Sequence, residues 1–547
     1  MKPCRTKIRL LMAVLALMPL AACAQLDYTT NNNAITITGY SGSESVLVIP
    51  NSINGYPVTS IGDAAFENSS LISVTIPNSV TRIEDQAFME CYGLASLIIP
   101  DSVTFIGTNA FTYSGLTNVA IGKGVTSIGD GAFEGCALLT NVTIPNNVTC
   151  IEAEAFENCY GLTSITIPNS VTSVGYRAFY VCTRLTSITI GDSVTNIGDG
   201  SFSACNDLAN VTIGSSVTTI ADAAFEDSGL TSIVIPNSVT CIGTNAFAFT
   251  SLTNVTIGNS VTNIADEAFE GCFELTSITI PNNVSSIGEG AFYDCTGLTS
   301  ISVAAGNAYY SSTNGVLFDK SQTTLIQFPE GLGGTYLIPN GVTSIGNEAF
   351  ELSGLSSVII SDSVTNIGDN GFLECDNLTN VNIGKGVTSI GNQAFYNCPS
   401  LTSMTIPNRV TSIGANAFFW CANLTAVYFG GNAPSPDSSV FDNDNATLHV
   451  YYLPDSSGWT SNYDGLPTVL WNPQVQTSGP DFALVDNKFG FNIVGATNLV
   501  VVVEACTNLS DPIWVPLSTN TLTSGSSYFS DPGWTNYPNR FYGFSFR

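Results

Sequence analysis

Basic residues are scarce: one histidine and 14 Lys plus Arg stand against 43 Asp plus Glu in 547 residues. Charged residues make up only 10% of the chain, yet the formal net charge is −29. Four of the cations, Lys2, Arg5, Lys7 and Arg9, fall in the first ten positions, and beyond them the balance is −33. Such a polyanion is repelled by nucleic acid and by anionic lipid headgroups, which removes both as partners. After position 20 no apolar run approaches the roughly 18 residues of a membrane span, so no transmembrane segment is expected. Tryptophan is missing from the first 419 residues. A disordered chain is excluded by what is present, 44% hydrophobic residues and a mean hydropathy of +0.25.

Residues 1–24 read as a bacterial secretion signal, with a basic start, KPCRTKIR, and a short apolar stretch, LLMAVLALMPL. Two processing readings compete. Ala22-Cys23-Ala24 fits cleavage before Gln25, whereas Leu20-Ala21-Ala22-Cys23 fits a lipoprotein box that would place a lipid on Cys23. Either implies a secreted protein or one on the outer surface of a bacterium.

The rest of the chain is dominated by one repeated phrase, clearest in Leu162-Thr-Ser-Ile165-Thr-Ile167-Pro168-Asn-Ser-Val171-Thr-Ser-Val174-Gly175-Tyr-Arg-Ala178-Phe179-Tyr-Val-Cys182. The phenylalanine recurs at 66, 88, 111, 133, 156, 179, 202, 225, 247, 269 and 292, then at 350, 372, 395 and 418, giving fifteen copies. In the first block the mean period is 22.6 residues, with every step 22 or 23. Ile165-Thr-Ile167 alternates as a half-buried strand does, and Pro168 stops it because proline cannot donate to a ladder. Val171 and Val174 belong to a second extended piece, and Ala178-Phe179 to a single helical or 3-10 turn. One copy is too small to bury its apolar side, so the copies are expected to stack as a solenoid of short parallel strands. The spacing Leu-x-x-Ile-x-Ile followed by an Ala-Phe turn resembles a leucine-rich repeat, and more narrowly the BspA-like type of bacterial surface proteins. The resemblance covers about residues 35 to 430. It implies a non-enzymatic scaffold that adheres to host proteins or other cells.

The solenoid is expected over 25–421, with an enlarged coil at about 301–340 carrying a lateral hairpin at Asn314-Gly315. Residues 422–473 read as a C-terminal cap, 474–480 as a linker and 481–547 as a small antiparallel β-sandwich built on runs such as Leu499-Val-Val-Val-Val-Glu504.

Three columns of the repeat could carry chemistry. Cysteine lies three residues after the phenylalanine ten times (Cys91, Cys136, Cys159, Cys182, Cys205, Cys272, Cys295, Cys375, Cys398, Cys421), with Ser or Thr in the other copies. That substitution suits a small buried filler better than cross-rung disulfides, and without a histidine column zinc is not expected. Three positions before the phenylalanine stands Asp in seven copies (Asp63, Asp85, Asp130, Asp199, Asp222, Asp266, Asp369), and Asn347, Asn392, Thr108 or Thr244 in four more. A short oxygen common to all three types reads as a cap on the amides of its own turn; a calcium ladder is the alternative. The third column is the outward file of Thr143, Thr166, Thr189, Thr212, Thr256 and Thr279, a flat uncharged face and the candidate interaction surface.

Catalysis finds no footing. His449 is a strand residue without a definable Ser-His-Asp set, and no phosphate loop or dinucleotide fingerprint occurs. No cofactor or metal is expected. The expected function is therefore a non-enzymatic, monomeric binding scaffold for an extracellular protein or glycan. A structural spacer displaying the C-terminal module is the alternative, and a carbohydrate-active enzyme a remote one.

Overall fold

The computed structural model describes residues 25–547 apart from 437–438, 442–446, 454–455, 472, 478–481, 486–487, 496–498, 509–513, 524 and 547. The export signal with Cys23 and the end of the expected linker lie outside the described residues. The chain forms two compact units, Met1–Gly315 and Val316–Arg547, divided inside the enlarged coil.

Each coil of the first unit contains two short strands and a turn segment. In the copy quoted above, Ser164–Thr166 is the first strand and Ser173–Val174 the second. Leu162, Ile165, Ile167, Val171, Val174, Ala178 and Phe179 are all buried, so these recurring apolar positions of the phrase face the interior. Adjacent coils pair in parallel and in phase: Ser164 faces Ser187, Ile165 faces Ile188 and Thr166 faces Thr189. The second strands join into one sheet running from the N-terminal strands to Ser286–Ile287. The fold is a leucine-rich-repeat β-solenoid.

The phenylalanines stack along the interior. From Phe66 to Phe292 successive ring centroids are 5.0–6.0 Å apart and the planes lie within 13° of parallel. Each offset pair adds about 0.5–1.5 kcal/mol beyond its buried area.

The turn segment is not the helical or 3-10 turn expected from sequence. Residues two before and two after each phenylalanine have positive φ, as at Glu154 (φ 57) and Asn158 (φ 57). Left-handed residues break a right-handed helix. Alternate amides instead leave the coil: Glu154, Phe156 and Asn158 donate to the carbonyls of Tyr176, Ala178 and Tyr180, each at 2.8 Å. The intervening amides of Glu157 and Cys159 close turns on Glu154 and Phe156. A helix would consume these donors internally; the turn stack uses half of them to join coils.

The short oxygens before the phenylalanine act across coils as well, which corrects the expectation that they cap their own turn. Asp85 Oδ1 accepts the amide of Thr108 at 2.9 Å, Asp130 that of Ala153 at 3.1 Å and Asp222 that of Thr244 at 2.8 Å. Each acceptor thus serves the equivalent residue one period later. In the loop after the first strand Asp101, Asn169 and Asp192 do the same for Lys123, Asp192 and Ser215.

The ends of the first unit are closed differently. Leu26–Asn31 and Ala34–Tyr40 form an antiparallel hairpin, whose second strand pairs in parallel with Tyr56–Ile61. At the other end the insertion folds back. Buried Asn307 donates to the carbonyls of Pro281 and Val284 and accepts the amides of Tyr309 and Tyr310, while the Tyr310 hydroxyl accepts the amide of Ile287 in the last second strand. Asn314 (φ 53) and Gly315 (φ 81) show the paired positive φ of a type I′ turn.

In the second unit Val316–Asp319 pairs antiparallel with Thr324–Gln327, which starts a new parallel stack. Its phenylalanine column has two members beyond the fifteen: Phe328 lies 5.0 Å from Phe350, and Phe441 5.4 Å from Phe418. The segment expected as a cap continues the stack, with Ala426–Phe429, His449–Tyr452 and Leu466–Leu470 pairing in parallel.

The C-terminal module has two antiparallel sheets. Lys488–Val494 pairs with Ala483–Val485, with Ser526–Asp531 and with Gln474–Gln476, so part of the segment read as a linker is a strand of the module. Leu499–Cys506 pairs with Val515–Leu522 and Phe541–Phe546 in the other sheet. Phe491, Ile493, Val501, Val503, Leu522 and Phe529 share one core with Ala426, Tyr428 and Trp471, so the module is seated on the outward side of the last coils.

Truncating Phe179 to Ala should cost about 3–5 kcal/mol, because the hole opens in the middle of a stack that cannot collapse around it. Urea unfolding of the Phe179→Ala and Phe179→Leu chains checks this; the leucine chain should lose clearly less. Removing residues 481–547 uncovers Tyr428, Tyr451 and Trp471 and should cause self-association, seen by light scattering. Adding Tyr428→Thr, the residue type at the paired position Thr405, should relieve it.

Candidate functional site: the lateral faces of the coils

A coil offers the outward side of its first strand, the outward side of its second strand and its turn. On the first-strand face the structure brings the predicted threonines into rows. Thr166, Thr189 and Thr212 are in direct register, Thr143 pairs with Ala120, Thr256 with Val234 and Thr279 with Ser302. All six are exposed. Other threonines of the same coils are engaged: Thr149, Thr172 and Thr195 donate through Oγ1 to the equivalent carbonyl of the preceding coil, at 3.1–3.2 Å. Thr140 and Thr186 form a second such ladder at 3.0–3.1 Å. The six candidates take part in neither. Their row also contains exposed Val48, Ile98 and Val234, and beside it lies a row of Ser and Asn. The face is polar, flat and interrupted by single apolar residues.

On the second-strand face of the second unit, Asn366, Ser389, Ser412 and Ser435 line an open groove of about 430 Å³ with Asp369 and Asn392. Asp369 Oδ1 accepts the amide of Asn392, whose Oδ1 accepts that of Ala415. A Cβ on Gly391 would lie 2.5 Å from Asp369 Oδ1 and 2.6 Å from the Asp369 amide nitrogen, so this coil leaves no room for one. These oxygens hold backbone, which leaves the groove without an acid–base pair. His449 lies elsewhere, in the strand His449–Tyr452, with Nδ1 2.8 Å from the Thr447 carbonyl. Among the described residues no three His, Cys, Asp or Glu are grouped to hold a metal ion.

The cysteine column is interior. Cys136, Cys159, Cys182 and Cys205 are buried thiols, and each Sγ donates to a phenylalanine carbonyl of the preceding coil at 3.2–3.3 Å. Where serine replaces cysteine, as at Ser114, its hydroxyl meets the next thiol at 3.3 Å. Both residue types supply a small hydrogen-bonding group to one interior site, which is the filler role expected from their interchange.

The turn face was not singled out by sequence. It exposes Tyr92, Tyr113, Leu138, Tyr160, Phe249, Phe273 and Trp420 among acidic residues. A signal was available in two copies: an aromatic residue two positions after the phenylalanine, with glycine 22 residues later, as Tyr113 with Gly135 and Phe249 with Gly271.

Two parallel strands and a turn per coil, on a 22–23-residue period, define a leucine-rich-repeat protein. The sequence pattern of the BspA type Leucine rich repeat region, six copies long, matches residues 59–183, 126–250, 218–333 and 335–451, and the chain belongs to that family. A leucine-rich repeat protein from Bacteroides ovatus is similar over 82% of this chain and 98% of its own, with 25% identity and a TM-score of 0.51. A leucine rich cell surface protein from Faecalibacterium prausnitzii is 29% identical over 80% of this chain and 94% of its own, with a TM-score of 0.37. No curated protein matches the chain. No helix among the described residues is long and apolar enough to cross a membrane.

Burial pushes the Cys136 and Cys205 thiols from 9.0 up to about 12. An unfolded chain ionises them near pH 9 while the folded chain keeps them neutral. Their contribution is therefore whole below pH 9 and lost as pH rises towards 12, at about 1 kcal/mol per thiol by pH 10. Urea midpoints from pH 7 to 10.5 should fall less steeply in the Cys136→Ser, Cys205→Ser chain.

Proposed function

We propose that the chain is a secreted or surface-displayed, non-enzymatic binding scaffold that adheres to an extracellular protein or glycan through a lateral face of its coils. The observation that carries the reading is the first-strand face of Met1–Gly315, where six threonines stand exposed, three of them (Thr166, Thr189 and Thr212) in direct register, without serving the ladders that occupy their neighbours. A row in which hydroxyls recur suits weak, multivalent contact with a repetitive ligand, since many small gains add along one surface. The face carries none of the buried aromatic or arginine anchors of a tight protein interface. Membership of the BspA-type family supports an extracellular scaffold, and the signal-like residues 1–24 support export.

The seating of the C-terminal module on the last coils favours a second reading, in which the solenoid holds that module away from the cell. An array of glycans and matrix proteins separates the two. The adhesion reading expects saturable binding that falls at least about tenfold when Thr166, Thr189 and Thr212 are changed together to Lys. Absence of saturable binding to every probe sinks it, and binding that survives this change but fails without 481–547 assigns the activity to the module.

A further inference from the structure

The turn face holds aromatic rings that the fold does not need. Every position two residues after the repeat phenylalanine has positive φ, which suits Asn68, Asn158, Asp227 or Gly135. Tyr113 and Phe249, both at φ 56, occupy this backbone at a cost, and both rings are 43% exposed. In each case the next coil supplies a glycine beneath the ring. A Cβ on Gly135 would lie 2.2 Å from Tyr113 Cδ1, and one on Gly271 2.4 Å from Phe249 Cδ1. Two coils are thus adapted to hold one solvent-facing ring.

Around Tyr113 the surface is aromatic and anionic. Tyr92 is 65% exposed, Leu138 59% and Tyr160 44%. The Tyr113 hydroxyl donates to Glu134 Oε1 at 3.2 Å, and the Tyr160 hydroxyl to Asn158 Oδ1 at 3.1 Å. Burial, and then the charge of Glu154, hold the Glu134 and Glu157 carboxyls above the usual range. Between residues 83 and 176 nine acidic side chains meet one basic one, Lys123 in the loop after a first strand. The next coil carries the chain's own example of what such a surface accepts. There the Arg177 guanidinium carbon sits 4.6 Å from the Tyr180 ring centroid and 5.0 Å from that of Tyr176, and its charge acts on Glu157.

We propose that Tyr92, Tyr113 and Tyr160, with Glu90, Glu134 and Glu157, dock an arginine-rich extended segment of a partner protein. The proposal rests on the binding-scaffold reading and names its partner class. Guanidinium groups lie flat on tyrosine faces and bond carboxylates through their edges, which uses both halves of this surface. The formal charge of −29 adds steering towards such a segment. A neutral sugar would bond the carboxylates through its hydroxyls but leave their charge uncompensated, and an anionic one would be repelled by them.

The test uses the purified chain and a fluorescent peptide of alternating arginine and glycine, with a citrulline-for-arginine peptide as control, followed by anisotropy at low and physiological salt. Wild type should bind the arginine peptide saturably and the citrulline peptide at least about tenfold more weakly. Tyr113→Leu with Tyr160→Leu removes two rings but no charge and should weaken binding roughly tenfold, while Tyr113→Phe should stay near wild type. Glu134→Gln with Glu157→Gln should weaken it more than Asp362→Asn with Asp376→Asn, an equal change of charge in the second unit. Unchanged thermal melting certifies each variant as folded. Equal weakening by the two charge changes, equal binding of both peptides, or no loss in the leucine chain overturns the proposal. Failure of the arginine peptide to bind while array adhesion through the threonine row persists removes this site and leaves the scaffold reading standing.

Discussion

Every structural choice in the coils follows from one constraint: a polar group finds its partner in the equivalent group one period along the chain. Turn amides donate to carbonyls of the next turn, Asp and Asn oxygens accept the amide of the equivalent position, threonine hydroxyls and cysteine thiols reach back to the preceding coil. Buried backbone must be paired, and a turn-rich coil has no sheet or helix of its own to pair it. Translation supplies the partner. It also fixes the period, because one residue more or less would move each donor away from its acceptor unless a loop absorbed it. The observed steps of 22 and 23 show that this tolerance is a single residue.

The same constraint explains how much of the fold can be read from sequence. The interior was legible because Leu162, Ile165, Ile167, Val171, Val174, Ala178 and Phe179 recur at fixed offsets from copy to copy, with strand alternation at Ile165-Thr-Ile167. The turn was not, because an Asp followed three residues later by Phe reads alike whether its carboxylate caps its own turn or the next one. Residue type records that an oxygen is needed; only the positions of two coils record which amide it serves. Phe328 and Phe441 stood one period from recognised copies, yet Gln327 and Val440 precede them where the recognised copies carry Ala, Ser or Gly. Gln474–Gln476 reads as a linker by composition and becomes a strand because Lys488–Val494 offers it an edge.

Surfaces were less legible than the interior, for a related reason. Three files of threonine run along the first unit. Alternation about buried Ile165 separates the outward Thr166 file from the rest, but the ladder-forming Thr140 and Thr149 files differ from it only in where their hydroxyls reach. The threonine row could therefore be named from sequence as a face without showing that its hydroxyls stand outside the ladders. The turn face was missed because its meaning is spread over two coils: Tyr113 is one exposed tyrosine among several until Gly135 is seen beneath it.

That coupling bears on how a solenoid of this kind can change its surface. Inside the coil a substitution must satisfy the copies on both sides, as at Gly391, where the Asp369 oxygen leaves no room for a Cβ. On the first-strand face a side chain meets only solvent and its row neighbours, so single changes are cheap and the row can drift between Thr, Val and Ile without cost to the ladders. The turn face lies between these limits. Its left-handed backbone penalises bulky residues, and at Tyr113 and Phe249 the ring lies where a Cβ of the next coil would stand, in coils that carry glycine there. A ring in the position of Tyr113 or Phe249 thus couples two residues: over an ordinary side chain it must shift, and a left-handed glycine with no ring above it merely loosens the coil. Drift rarely crosses such a step, whereas a ligand that rewards the exposed ring gives a reason to cross it. The physical argument for function is accordingly stronger at Tyr113 and Phe249 than at any of the threonines.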